Sequence, residues 1–201
     1  MKFKYVITFA LLFIYNNSFA DTKKNIEDFV DNNARRVISV LEEKISDNAK
    51  KEKLAALFYE IVDYEWIGKF VIAKNWNGMN RNQKNHYLEA YKKYLSNLYV
   101  KKFVDYNNQQ YKIVDISNIG KSHFIAATKI INTWSSKPRV NVAYRIKDSN
   151  NVLKIVDIIG EGVSLLSTQR ADFSSIIEQK GINNFLKILE RKVNKDILLT
   201  P

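Results

Sequence analysis

The first half of the chain repeats apolar and polar positions with the period of an α-helix. Apolar residues recur every three or four positions over about 24–46 and again over 54–62, and Asp47-Asn48 can cap the second of these helices. A short aromatic-rich helix is predicted from Trp66 to Ala73. A long helix is predicted after Asn80-x-x-Gln83, which has the spacing of a capping box.

The period then changes to that of β-strands. Apolar positions from Val140 to Ile146 alternate with polar ones, which predicts one buried and one solvated face, as in an antiparallel meander. Helical periodicity resumes after Gly160-Glu161-Gly162 and is broken at Gly181. Helices, then strands, then helices indicate the α+β class, with a four-stranded antiparallel sheet covered by N-terminal and C-terminal helices. The four strands are predicted at about 109–117, 123–134, 139–147 and 152–160.

The first twenty residues have the pattern of an export signal. Lys2 and Lys4 precede an uncharged, mostly apolar stretch, and Ser18-Phe19-Ala20 places small residues at the positions that signal peptidase requires. The apolar stretch, of about eleven residues, is too short for a membrane span, which needs roughly 20. We therefore predict that residues 1–20 are a signal peptide cleaved after Ala20 and that residues 21–201 form a single domain.

Composition narrows the possible functions. The chain has 201 residues, no cysteine and a formal net charge of +11, which becomes +9 once Lys2 and Lys4 are removed with the signal peptide. Thiol catalysis, zinc–thiolate sites and disulfides are therefore excluded. The lysines are scattered rather than gathered in a tract, so we expect no nucleic-acid partner. Attraction to anionic lipid headgroups or acidic proteins fits this charge, as does a merely solvated basic surface.

The sequence offers little catalytic chemistry. Phosphate-binding glycine loops and a nucleophile elbow are absent, and neither His86 nor His123 has the spacing of a zinc protease motif. Asp157 lies within an apolar strand, where burial would suit a general base. We expect it instead to face solvent or to pair with a cross-strand base such as Arg145. No catalytic residue and no metal site are predicted.

Four blocks of sequence resemble one family. The stretch Asp63–Trp76 resembles D-F-x-x-M…V-L-G-x-x-W, and Asp157–Leu166 resembles D-V-x-x-E-G-V-S-L-V. Gln169–Phe173 and Lys180–Phe185 follow at the places of Y-R-x-x-F and G-G-L-D-x-L. Together, in this order, they resemble the MlaC or toluene-tolerance family of periplasmic phospholipid-binding proteins. Ala73 and Gln169 depart from that pattern, where the family has glycine and tyrosine.

The resemblance implies a function in lipid transport rather than an enzyme. It implies a curved sheet and surrounding helices that enclose a hydrophobic pocket for acyl chains, with phospholipid as cargo and no cofactor. It also implies a periplasmic carrier that shuttles lipid between an outer-membrane lipoprotein–porin complex and an inner-membrane ABC transporter with an MCE-domain protein. Such a pathway maintains the lipid asymmetry of the outer membrane.

The pocket follows from the resemblance and the strand alternation together. Exposing one acyl chain of sixteen carbons to water costs about 12 kcal/mol, so a carrier must enclose the chain in apolar side chains. Two alternatives stay open: a basic envelope interaction protein with a solid core, and a small pocket enzyme that uses Asp157 or His123. The predicted lipid-binding residues are Phe70, Val71, Trp76, Tyr99, Phe103, Val142, Tyr144, Ile158, Val163, Leu166 and Phe173.

Overall fold

The order of elements is helices, then a sheet, then helix. A computed structural model describes residues 6–104, 110–131 and 140–198, with side chains described over 21–100, 110–131 and 140–194. The α+β class is confirmed. The elements are α1 Val6–Glu42, α2 Asp47–Ile61, α3 Tyr64–Ile72, α4 Lys74–Gly78, α5 Arg81–Val104, β1 Gln110–Gly120, β2 His123–Ile131, β3 Val140–Ser149, β4 Val152–Gly160, β5 Val163–Ser164 and α6 Leu165–Leu198.

Side-chain caps fix the starts of α2 and α5. Ser46 Oγ accepts a hydrogen bond from the Ala49 amide at 3.3 Å and so begins α2. The predicted capping box before α5 is confirmed: the Asn80 amide donates to Gln83 Oε1 and the Gln83 amide donates to Asn80 Oδ1, both at 2.9 Å. These bonds satisfy amide groups that the first turn of a helix leaves without partners.

Helix α1 is longer than the apolar pattern predicted. The helix expected over about 24–46 is the second part of a helix that begins at Val6 and ends at Glu42. The backbone is therefore helical on both sides of Ala20, and cleavage after Ala20 stays a prediction. Among the residues that the structure describes, no helix is both long and apolar enough to cross a membrane.

The strands form one antiparallel sheet in the order β1-β2-β3-β4-β5. Asn150 and Asn151 connect β3 to β4 with φ of 54° and 65°, as a two-residue hairpin loop of this twist requires. Glu161 and Gly162, with φ of 47° and 81°, make a similar loop after β4. This second loop returns the chain as β5, so the sheet has five strands rather than the predicted four.

The two faces of the sheet pack differently. Ala126 pairs with Tyr144, and Tyr144 pairs with Ile158, so these three side chains share one face. That face, here called the α1 face, packs on Ile26 and Val30 of α1. The other face, here called the opposite face, carries the alternate residues of each strand.

A second core lies among α2, α3, α5 and α6. Tyr87 and Tyr91 of α5 are fully buried there, and burial raises the pKa of both phenols. The Tyr87 hydroxyl donates to the Gly68 carbonyl at 2.9 Å, and the Tyr91 hydroxyl donates to Gln169 Oε1 at 2.6 Å. A Cβ at Gly68 would lie 2.9 Å from Tyr91 Cδ1, so only glycine allows α3 and α5 this close approach. Gln169, which departs from the family's tyrosine, is thus a hydrogen-bonding partner in the core.

The predicted break at Gly181 is confirmed. Gly181 has φ of 73° and ψ of 163°, which no helix accommodates, and it divides α6 into two helical segments. Both segments contribute to the same core, Phe173 and Ile177 before the break and Phe185 and Leu189 after it. The kink therefore lets one chain segment follow the curved surface of the helical core.

Ala73 occupies a strained backbone position between α3 and α4. Its φ of 41° and ψ of −112° lie in a region that side chains with a Cβ rarely adopt. Such a conformation costs on the order of 1–3 kcal/mol in a residue other than glycine. This is the position at which the family pattern has glycine, and the geometry explains why.

We predict that Ala73→Gly stabilises the protein by about 1 kcal/mol, because relief of strain exceeds the extra entropy of glycine in the unfolded chain. Ala56→Gly within α2 is the matched control and should destabilise by about 1 kcal/mol. Urea unfolding measures both free energies. Loss of stability in both variants would contradict a strained Ala73.

Tyr111 of β1 ties the sheet to α1. Its hydroxyl donates to a carboxylate oxygen of Asp31. The hydrogen bond from Tyr111 lowers the pKa of Asp31, helped by Arg35. Burial, together with the negatively charged partner, raises the pKa of Tyr111 to about 12.

We predict that Tyr111→Phe lowers the free energy of unfolding by about 1 kcal/mol at neutral pH. Because the folded-state pKa of Asp31 is lowered, its contribution exists above the ordinary pKa of aspartate and is lost as the pH falls through the lowered value. The difference between wild type and Tyr111→Phe should therefore shrink in acid, as measured by thermal unfolding at several pH values. A difference that stays constant into acid would show that Asp31 is not the partner that matters.

Candidate functional site

The predicted lipid-binding residues lie in two separate packing regions. Six pack in or against the helical core: Phe70, Val71, Trp76, Tyr99, Leu166 and Phe173. Tyr144 packs with the α1 face of the sheet, and Val142 and Ile158 share that face through the strand pairing. Val163 lies on β5 with 57% of its surface exposed. The side chain of Phe103 lies outside the described residues.

One end of the α1 face is covered without being closed. Val142, Tyr144 and Ile158 are half-buried, whereas Phe124 and Ile146 nearer the other end are buried against α1. Burial raises the pKa of Tyr144, so protein surrounds its ring densely although the ring keeps accessible surface. Val142, Tyr144 and Ile158 therefore form an apolar wall on the α1 face that the rest of the described protein covers only in part.

Tyr99 of α5 has the same combination of properties. Its ring stacks on Phe58 with centroids 5.4 Å apart, and the residue is half-buried. Burial raises its pKa well above the usual value, and the negative charge of Asp157 on β4 adds to the effect. Tyr99 packs against the helical core rather than on the α1 face of the sheet.

Three of the predicted lipid-binding residues are buried in the helical core by neighbouring side chains. Val71 is 0% exposed, Phe173 is 2% exposed and Leu166 is 5% exposed. Phe173 contacts Phe185 with ring centroids 4.9 Å apart. In this conformation these three side chains fill the core. Among the predicted helical residues, Tyr99, Phe70 and Trp76 are half-buried.

Two grooves open elsewhere, and sequence reasoning predicted neither of them. A groove of about 630 Å³ lies between α1 and α2 and a smaller one of about 360 Å³ lies between α1 and the start of β4. The basic side chains that line the larger groove already have acidic partners. Arg36 Nη2 lies 2.6 Å from Glu60 Oε2, and Lys53 Nζ lies 2.5 Å from Glu43 Oε2. None of the predicted lining residues whose side chains the structure describes borders either groove. Helical periodicity predicts each helix separately but not the gap between two helices.

Asp157 has a structural role that the sequence did not predict. It is 4% exposed, so the expectation that it faces solvent is wrong, and no ion pair joins it to Arg145 among the described residues. Its Oδ2 accepts from Ser164 Oγ at 2.6 Å and its Oδ1 accepts from the Leu166 amide at 3.0 Å. Helix N-termini attract carboxylates because their amides lack partners and their dipole is positive. Asp157 therefore anchors the start of α6.

The other polar residues considered for chemistry also have structural contacts. Glu161 Oε1 accepts from the Asn141 amide at 2.6 Å, and Asp63 Oδ1 accepts from the Trp66 amide at 3.1 Å. His86 Nε2 lies 2.6 Å from Glu190 Oε1, and His123 lies beside the Trp66 ring, 6.3 Å between centroids. Within the described ranges no three of the histidine, aspartate and glutamate side chains are grouped as metal ligands would be.

Comparison with known proteins agrees with this fold. The family profile described as MlaC protein matches residues 31–191. The intermembrane phospholipid transport system binding protein MlaC of Haemophilus influenzae is 20% identical over 139 residues, which are 68% of this chain and 65% of that protein. The match thus spans slightly less than two thirds of the relative's length.

A solved structure shares the architecture. The phospholipid-binding protein from Ralstonia solanacearum, determined in complex with a phospholipid, superposes with a TM-score of 0.73 and 15% identity. The superposition covers 87% of this chain and 98% of that one. The sequence blocks, the family profile over most of the chain and the shared fold agree, and the chain belongs to the MlaC family.

Proposed function

We propose that this protein is a phospholipid-binding transport protein that holds acyl chains against the α1 face of its sheet. One observation supports the proposal most directly: Val142, Tyr144 and Ile158 share the α1 face as an apolar wall and are only half-buried. Family membership supports it further, as do the names of the Haemophilus and Ralstonia proteins.

The physical requirements of a carrier match this kind of site. Each methylene taken out of water contributes about 0.8 kcal/mol, so an apolar wall supplies binding energy without any specific polar contact. Transport breaks no bond, and hence needs no general acid or base. The engagement of Asp157 in capping α6 is compatible with that requirement.

The wider context is part of the same proposal. The signal peptide predicted over residues 1–20 would deliver the protein to the periplasm. There it would shuttle phospholipid between an outer-membrane lipoprotein–porin complex and an inner-membrane ABC transporter with an MCE-domain protein. Of the eleven residues predicted above, Val142, Tyr144 and Ile158 are the ones expected to contact lipid on this face.

We predict that the purified protein carries glycerophospholipid. Acyl chains shielded by the wall should stay bound through purification because their release into water costs about 12 kcal/mol per chain. Native mass spectrometry should show a lipid-bound species, and organic extraction followed by lipid mass spectrometry should identify it. Protein that contains no lipid and that takes none up from phospholipid vesicles would contradict the proposal.

We predict that Val142→Asp empties the site. A carboxylate in an apolar wall must either be hydrated or become protonated, and both outcomes disfavour acyl chains. The extracted phospholipid per protein chain should fall at least several-fold.

Val114→Asp is the matched control, since Val114 is an exposed residue of β1. It should keep the wild-type lipid content, and circular dichroism should show that both variants are folded. Unchanged lipid content in a folded Val142→Asp protein would exclude this part of the wall from the site.

A further inference from the structure

Arg145 of β3 is a half-buried cation without a counter-ion. Its Nε atom is buried and has no hydrogen-bond partner, and no hydrogen bond or ion pair joins its side chain to any residue that the structure describes. Burying an unpaired charge is costly, and proteins normally pair such a group with an acid or with a bound anion. The buried Nε–H of Arg145 therefore lacks a partner among the described residues, and the guanidinium has donors available to a ligand.

The acid directly across from Arg145 is already engaged. Asp157 is its cross-strand neighbour on β4. Both carboxylate oxygens of Asp157 accept hydrogen bonds at the start of α6, one from Ser164 and one from Leu166. The positive end of the helix dipole stabilises the negative charge of Asp157. Asp157 is therefore a nearby negative charge but not a hydrogen-bonding partner of Arg145, whose donors stay available.

The neighbours of Arg145 on the opposite face are apolar. They include Ile125 across the strand pair and Ala143 two positions earlier, with Ala127 paired to Ala143. All three are half-buried, and two of them are alanines with short side chains. The guanidinium thus lies on an apolar surface of small side chains.

Two further basic groups border this surface. Lys147 lies two residues beyond Arg145 on the same face, opposite His123 of β2. Lys147 Nζ is 5.6 Å from the Trp66 ring centroid and 3.8 Å from Asp63 Oδ2, a loose contact that leaves donors free. Trp66 of α3 lies beside both Lys147 and His123 and limits access from that side.

We propose that Arg145, with Lys147 beside it, binds a phosphate-type oxyanion on the opposite face of the sheet. The planar guanidinium matches two oxygens of a phosphate, and Lys147 adds a point charge. The site goes beyond the proposed carrier function because it lies across the sheet from the wall of Val142, Tyr144 and Ile158. The phosphate is either a free anion or the phosphodiester of a lipid headgroup.

Thermal unfolding of delipidated protein tests the site with inorganic phosphate as the probe, against sodium chloride of equal ionic strength. At about ten times its dissociation constant, phosphate should raise the Tm of the wild type by about 4 °C. Arg145→Met should abolish this shift, and Arg145→Lys should retain part of it. Lys187→Met, at an exposed position of α6, removes the same charge and should leave the shift intact.

Lipid content distinguishes the two sources of phosphate. If the headgroup is the ligand, phospholipid extracted from Arg145→Met should fall several-fold while Arg145→Lys and Lys187→Met keep theirs. If a free anion is the ligand, all variants keep their lipid and only the phosphate shift is lost. Equal phosphate shifts in wild type and Arg145→Met, or no shift together with unchanged lipid content, would overturn the site. Neither result would bear on the wall at Val142, whose own variant tests the carrier function.

Discussion

Three consecutive residues of β4 join the two halves of the fold. A β-bulge places an extra residue between the pairs Arg145–Asp157 and Ile146–Ile155. As a result Ile155 packs against both cores, while Val156 is fully buried in the helical core. Asp157 then anchors α6. The end of α2 also depends on this strand, since the Asp63 amide donates to the Ile155 carbonyl at 3.0 Å. A bulge alters side-chain direction locally. One strand can therefore pair within the sheet, contribute to the helical core and anchor a helix.

The division into two cores suits a carrier. Empty apolar volume destabilises a protein by about 24 cal/mol per Å³, so a binding space has to be offset by dense packing elsewhere. The helical core provides that packing through aromatic contacts such as Tyr87–Tyr91 and Phe173–Phe185, at 5.4 and 4.9 Å between centroids. Residues at the wall can then stay half-buried without loss of the fold. In the proposed carrier, stability and binding would reside in different parts of the molecule.

The basic residues that have partners at the surface contrast with Arg145. Several lysines lie over aromatic rings, as Lys92 does over Tyr59 at 4.5 Å, and surface acids pair with nearby bases. Exposed contacts of this kind contribute about 0.5–1 kcal/mol each and spread the positive charge over the surface. Arg145 differs because its Nε atom is buried and has no hydrogen-bond partner among the described residues. Composition alone could not give the excess basic residues a role. The structure shows that one of them, Arg145, has a hydrogen-bond donor without a partner in the part of the chain that it describes.

The sequence by itself determined the local structure and the family. Caps such as Asn80–Gln83, the break at Gly181 and the strand alternation around Tyr144 depend on neighbours in the chain, and so they could be predicted. Only the tertiary structure decided what covers each face. It placed Val71 and Phe173 in a closed core but left Tyr144 half-buried. It made Asp157 anchor the start of α6 rather than pair with Arg145, and it added β5 after a two-residue loop. Periodicity states which side chains share a face, whereas burial and pairing arise from contacts between residues far apart in the chain.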